Sequence, residues 1–249
     1  MPQDASGTPE HIVRSFDEDL RRLRDMVARM GGMVERQVAD AAYALARRDA
    51  ALAGEVVGRD APIDALEREI EAWCVRLLAL RQPVGADLRL VVGALRIAHD
   101  LERVGDYAAN CAKRAIVVSQ QQTRVSPTGL AEMARMVQRN LKDAMDALVR
   151  DDADAAGRVQ AADAPVDEVY NGIFRELLTH MMEDPRNITA ATHLLFVAKN
   201  LERVGDHATN IAEIVHYAVR GDELPDDRPK ADNSAYAVVR PPAPAGAAD

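Results

Sequence analysis

The chain is short of aromatic residues: one Trp, three Phe and five Tyr among 249 positions, 4% in all. Strands favour aromatic and β-branched side chains, so this shortage argues against a sheet-rich fold. Cysteine is scarcer still. Cys74 and Cys111 stand alone in apolar stretches, which argues against a disulfide framework or a paired-thiolate zinc site and predicts two buried thiols. No apolar run reaches the roughly 18 residues that a membrane-spanning helix needs. The opening MPQDASGTPE lacks a basic-then-apolar leader pattern. Basic charge is in deficit, with a net charge of -9. A surface of that sign repels nucleic acid and anionic lipid. These absences predict a cytoplasmic protein with no nucleic-acid partner and no direct membrane insertion. Also missing are a Gly-rich phosphate loop, a nucleophile elbow and an HExxH motif. The paired Glu-x-x-His of a ferritin-like di-iron bundle is absent too.

What remains is rich in Ala, Leu, Val, Arg, Asp and Glu, and 48% hydrophobic, enough to form helices around a sizeable core. The chain also repeats itself. AHDLERVGDYAAN (98–110) returns as AKNLERVGDHATN (198–210), identical at nine of thirteen positions. Upstream, DAPID (60–64) returns as DAPVD (163–167). Two copies of one unit, about 27–118 and 130–218, account for most of the chain.

Each copy reads as three helices. Ile63, Leu66, Ile70, Trp73, Leu77 and Leu78 recur at helical spacing, as do Val166, Val169, Ile173, Leu177 and Met181. So do Leu194, Ala198, Leu201, Val204, Ala208, Ile211 and Val215. Turn signals separate these runs, with Pro83 and Pro185 between the second and third helices of each copy. The expected fold is all-α: six helices of roughly 25–35 residues, in two antiparallel three-helix bundles related by a pseudo-twofold. The bundles should cover 10–120 and 127–220, between a disordered start (1–9) and a disordered Pro/Ala-rich tail (221–249). The Gly31-Gly32 pair is a candidate kink in the first helix.

The repeats carry acids in rows. Glu102, Asp106 and Asn110 are spaced by four, and so are Glu202, Asp206 and Asn210. Asp60 and Asp64, and Asp163 and Asp167, form shorter rows. Like charges four apart on a helix cost about 0.2–0.5 kcal/mol each. Facing residues of an antiparallel hairpin lie equidistant from its turn. Asp64 and Glu102 are equidistant from Pro83, as are Asp60 and Asp106. Asp167 with Glu202, and Asp163 with Asp206, are equidistant from the Asp184–Pro185 bond. Each bundle should therefore hold two carboxylate pairs at matched heights. Helical angles place them at or beyond the edge of the core stripe, as a surface patch and not a buried dyad. Gly105 and Gly205, between the acids, suggest close approach of another helix or a ligand. An oxygen-rich set of this kind suits magnesium, manganese, calcium or iron. His99 and His207 face Lys199 and Tyr107 in the other copy, so they stand outside the shared site. Spacing alone leaves open a solvated acidic face neutralised by Arg59, Arg68, Arg103 and Arg203.

Duplicated units with DxxxD on the second helix and LERVGDxxxN on the third resemble the PhoU family of phosphate-signalling proteins. The likeness covers about 27–218, and RQPVGADLR (81–89) also resembles the family pattern. The resemblance implies a cytoplasmic, often dimeric all-α protein whose E/DxxxD motifs can hold multinuclear metal clusters. The implied ligands are Asp60, Asp64, Glu102, Asp106 and Asn110, then Asp163, Asp167, Glu202, Asp206 and Asn210. Iron, manganese, magnesium or zinc ions are the implied cofactors. The implied role is non-catalytic: damping phosphate uptake and the starvation response, between the ATPase subunit of a phosphate ABC transporter and a membrane sensor histidine kinase. The Pro/Ala-rich tail and the lack of an obvious basic docking patch depart from the pattern. A metal-dependent enzyme or metal-storage bundle is the competing reading.

Overall fold

A computed structural model of the chain describes residues 9–122 and 125–225, with side chains from residue 15 onward. The expected loose start (1–9) and tail (221–249) lie outside the described residues, apart from Pro9, which opens the first helix, and residues 221–225. The described residues form eight α-helices and one 3-10 turn, without strands. They are α1 (Pro9–Arg47), α2 (Ala50–Gly58), α3 (Asp60–Arg81), α4 (Gly85–Ser119), α5 (Leu130–Arg150), α6 (Ala153–Ala161), α7 (Ala164–Glu183) and α8 (Ile188–Arg220). The first bundle is α1 with α2–α3 and α4, and the second is α5 with α6–α7 and α8.

The second helix of each copy is not one rod, as its periodicity suggests, but two pieces. The cause is proline. Pro62 and Pro165 lack an N–H and crowd the carbonyl four residues back, which is Gly58 or Ala161, the last residue of α2 or α6. The chain answers with a tightened turn: Arg59 N donates to Val56 O at 3.1 Å, and Ala162 N to Val159 O at 3.1 Å. The two breaks share one geometry, φ -83° and ψ -3° at Arg59 against φ -83° and ψ 0° at Ala162. Asp60 and Asp163 follow these breaks directly.

The hairpins that open each unit also match. Arg48 and Asp151 adopt left-handed φ of 53° and 51°. Asp49 N then donates to Ala44 O at 2.9 Å, and Asp152 N to Ala147 O at 3.0 Å, closing the preceding helix. The same aspartates cap the next helix: Asp49 Oδ1 accepts from Ala51 and Leu52 N–H, and Asp152 Oδ1 from Ala155 N–H.

Among the described residues, α4 and α8 pack against each other most extensively, so the two motif helices also join the bundles. All seven periodic residues of α8, from Leu194 to Val215, are buried, and the buried core runs without interruption through both bundles. Cys74 and Cys111 are buried free thiols, their pKa values pushed by burial to about 11 and about 12. The Gly31-Gly32 pair does not break α1. A Cβ at Gly31 would meet Met145 Cε, so a side chain there would require the end of Met145 on α5 to shift. No described helix is long and apolar enough to cross a membrane.

Candidate metal centre

In the first bundle, α3 carries Asp60, Asp64 and Glu67, and α4 carries His99, Glu102 and Asp106. The hairpin at residues 82–84 brings the two rows face to face. Burial raises the Asp60 pKa, and Asp106 and Asp64 raise it further, against the pull of Lys113 and a hydrogen bond from Gln37. Burial likewise raises Glu102, followed by Asp106, Glu67 and Asp64, with Arg103 opposing. Asp60 and Glu102 thus both lie in the field of Asp64 and Asp106, and all four carboxylates are half-buried. Asn110 is half-buried one turn beyond Asp106.

The floor of this cluster comes from α1. Gln37 is fully buried, and its Nε2 donates to Val56 O at 3.3 Å, beside the α2–α3 break. Its Oε1 is buried without a hydrogen-bond partner and lies 3.4 Å from where a Cβ on Gly105 would stand. Ile63 Cδ1 stands at the same 3.4 Å. Gly105 is therefore the close approach its place between two acids suggested.

His99 returns to the site from which the repeat excluded it. Its Nδ1 lies 3.4 Å from Glu67 Oε1, and one ligand atom each of Glu67, His99 and Glu102 fall within 4.8 Å of one another. Glu67 is absent from the expected ligands. Both residues were findable, because Glu67 and His99 are equidistant from Pro83.

The second bundle corrects the expected surface patch. Asp163, Asp167 and Glu202 are only 3%, 6% and 7% exposed, while Asp206 and Asn210 are half-buried. Asp163 follows the α6–α7 break, and its Oδ1 lies 3.3 Å from where a Cβ on Gly205 would stand. Lys199 Nζ meets Glu202 Oε1 at 2.8 Å and sits 5.0 Å from the Tyr170 ring centroid. Tyr170 and Lys199 are the second-copy counterparts of Glu67 and His99. Asn210 lines an open cleft of about 710 Å³ with Glu67, His99, Asp100 and Glu213, residues of both bundles.

Two of the four arginines of the solvated-face reading are engaged elsewhere. Arg59 pairs with Asp40 and with Glu55, and Arg203 lies over the Tyr107 ring. Arg103 reaches Asp106 Oδ2 at 3.4 Å in an exposed pair, worth little. In the first bundle the donor set of four clustered carboxylates fits hard or borderline cations.

The PhoU domain model matches residues 27–115 and 130–215. The phosphate-specific transport system accessory protein PhoU homolog of Caulobacter vibrioides is 53% identical over 224 residues, 90% of this chain and 97% of that protein. The protein of the same name from Rhizobium meliloti is 45% identical, over 89% and 94%. The crystal structure of PhoU from Pseudomonas aeruginosa aligns with a TM-score of 0.81 at 42% identity, covering 83% of this chain and 100% of that one. The regulatory protein PhoU of the phosphate transport system from Streptococcus pneumoniae aligns at 0.78 and 29% identity, over 84% and 99%.

Proposed function

Because the chain belongs to the PhoU domain family, we propose that it is a cytoplasmic accessory regulator of phosphate uptake. It acts without turnover, as a homodimeric negative adaptor between the ATPase subunit of a phosphate ABC transporter and a membrane sensor histidine kinase. The observation that carries the reading is 53% identity across 97% of a relative named for the phosphate-specific transport system. Within it, Asp60, Asp64, Glu102, Asp106 and Asn110 hold iron, manganese, magnesium or zinc, as do Asp163, Asp167, Glu202, Asp206 and Asn210. The raised pKa values of Asp60 and Glu102, from burial first and neighbouring carboxylates second, support such a role in the first bundle, since a cation would offset both.

Deleting the gene in cells grown in high phosphate is expected to raise both phosphate uptake and a starvation-gene reporter. Unchanged uptake and reporter output would sink the adaptor reading. For the metal, elemental analysis of natively purified protein should find stoichiometric metal in the wild type. An Asp106→Ala, Asp206→Ala double variant should lose it while keeping its helical circular dichroism.

A further inference from the structure

We propose that the first bundle alone holds a first-row transition-metal dication at Glu67, His99 and Glu102. The site goes beyond the twin acidic motifs and shares only Glu102 with them. Three observations converge on it.

The first is the ligand set. One imidazole nitrogen and two carboxylate oxygens lie within 4.8 Å of one another. Ligand atoms bound at about 2.0–2.2 Å sit somewhat closer than that. The His99 side chain is 66% exposed and free to turn the small remaining distance. An imidazole among carboxylates shifts preference from magnesium and calcium toward zinc, manganese, iron or cobalt.

The second is the comparison that the duplication builds into the molecule. At the corresponding height of the second bundle, Lys199 replaces His99 and Tyr170 replaces Glu67. There Lys199 Nζ sits on Glu202 Oε1 at 2.8 Å, with the Tyr170 ring beside it. The second bundle thus supplies a positive charge to its glutamate from its own chain. The first bundle removes that lysine, adds a second glutamate, and offers a ring nitrogen that can ligate a cation from outside.

The third is access. Glu67 and His99 line the cleft of about 710 Å³ between the bundles, where Glu71, Asp100 and Glu213 outnumber the single cation on its walls, Arg96. A cation can enter there and keep water or a further oxygen in its open positions.

The experiment uses the full chain, stripped with chelator and titrated calorimetrically with zinc, then with cobalt(II) read by visible absorption. Wild type is expected to bind one equivalent more zinc than His99→Lys or His99→Gln, or to bind that equivalent at least about tenfold more tightly. The cobalt spectrum should change in both variants. His99 is exposed, so both variants should keep wild-type circular dichroism. The paired graft Tyr170→Glu, Lys199→His should gain an equivalent. Unchanged stoichiometry and affinity in both His99 variants would leave a surface His–Glu ion pair only and overturn the proposal. Loss in His99→Lys but not in His99→Gln would show charge repulsion in place of ligation, and would overturn it equally. The Asp106→Ala, Asp206→Ala variant separates this site from the motif reading. Zinc retained there and lost on changing His99 supports this site even if the motifs hold no metal.

Discussion

At the scale of single residues, the first acidic cluster is under electrostatic load. Asp60 and Glu102 have folded-state pKa values above the ordinary carboxylate range, through burial and then Asp106. A carboxyl whose pKa is raised on folding binds its proton more tightly in the folded state. Stability from these groups is therefore greatest at low pH and falls as pH rises from the ordinary value through the raised one. Above that window the repulsion is fully present. Removing the Asp106 charge should relieve it, while the exposed Asp106–Arg103 pair it also removes is worth little. Asp106→Asn is thus expected to stabilise the metal-free protein by about 0.2–0.5 kcal/mol near neutral pH. The advantage should shrink as the pH approaches the ordinary carboxylate pKa. Urea melts of both proteins at the two pH values check the size and the sign.

At the scale of elements, two devices recur in both units, and they differ in how visibly the sequence announces them. The ARRDA and RDDAD turns are legible as turns, and the structure adds that Asp49 and Asp152 close one helix and cap the next. Asp49→Ala and Asp152→Ala are each expected to cost about 1 kcal/mol. Asp49→Asn should recover most of its loss in a thermal melt, since the amide oxygen also accepts. The helix breaks at Arg59 and Ala162 are harder to see. Apolar spacing carries across at helical period, from Val56 to Ile63 and from Val159 to Val166, so only Pro62 and Pro165 betray them. Those breaks place Asp60 and Asp163 at the start of a helix, where an anion faces unpaired N–H groups.

At the scale of the molecule, one core runs through both bundles and α4 packs along α8. The contact includes a polar link: His207 Nδ1 lies 2.7 Å from Asp100 Oδ1, and the His207 ring tilts against Tyr107 with centroids 5.6 Å apart. The counterparts of this pair are Tyr107 and Asn200, so the pseudo-twofold is broken at the interface as well as at the metal centre. A shared core should unfold as one cooperative unit. Trp73, the sole tryptophan, sits in the first bundle, whereas circular dichroism reads helices from both. The two urea transitions are expected to coincide. Trp73 fluorescence lost ahead of the ellipticity would show that the bundles unfold separately.

The sequence by itself determined what depends on near neighbours and on counting from a turn. It set the helical class, the duplication, the antiparallel levels that oppose Asp64 with Glu102, and the close approach implied by Gly105. Periodicity and turn position encode these locally. Only the tertiary structure decided how deeply each copy of the site is buried, because that depends on which side chains the packed helices bring around it. Three carboxylates of the second copy are enclosed and Lys199 sits against one of them, while the first copy stays half-open beside a cleft walled by both bundles. The two halves share nearly the same motif. Their difference rests on Glu67 and His99 against Tyr170 and Lys199, pairs that become neighbours only when the helices pack.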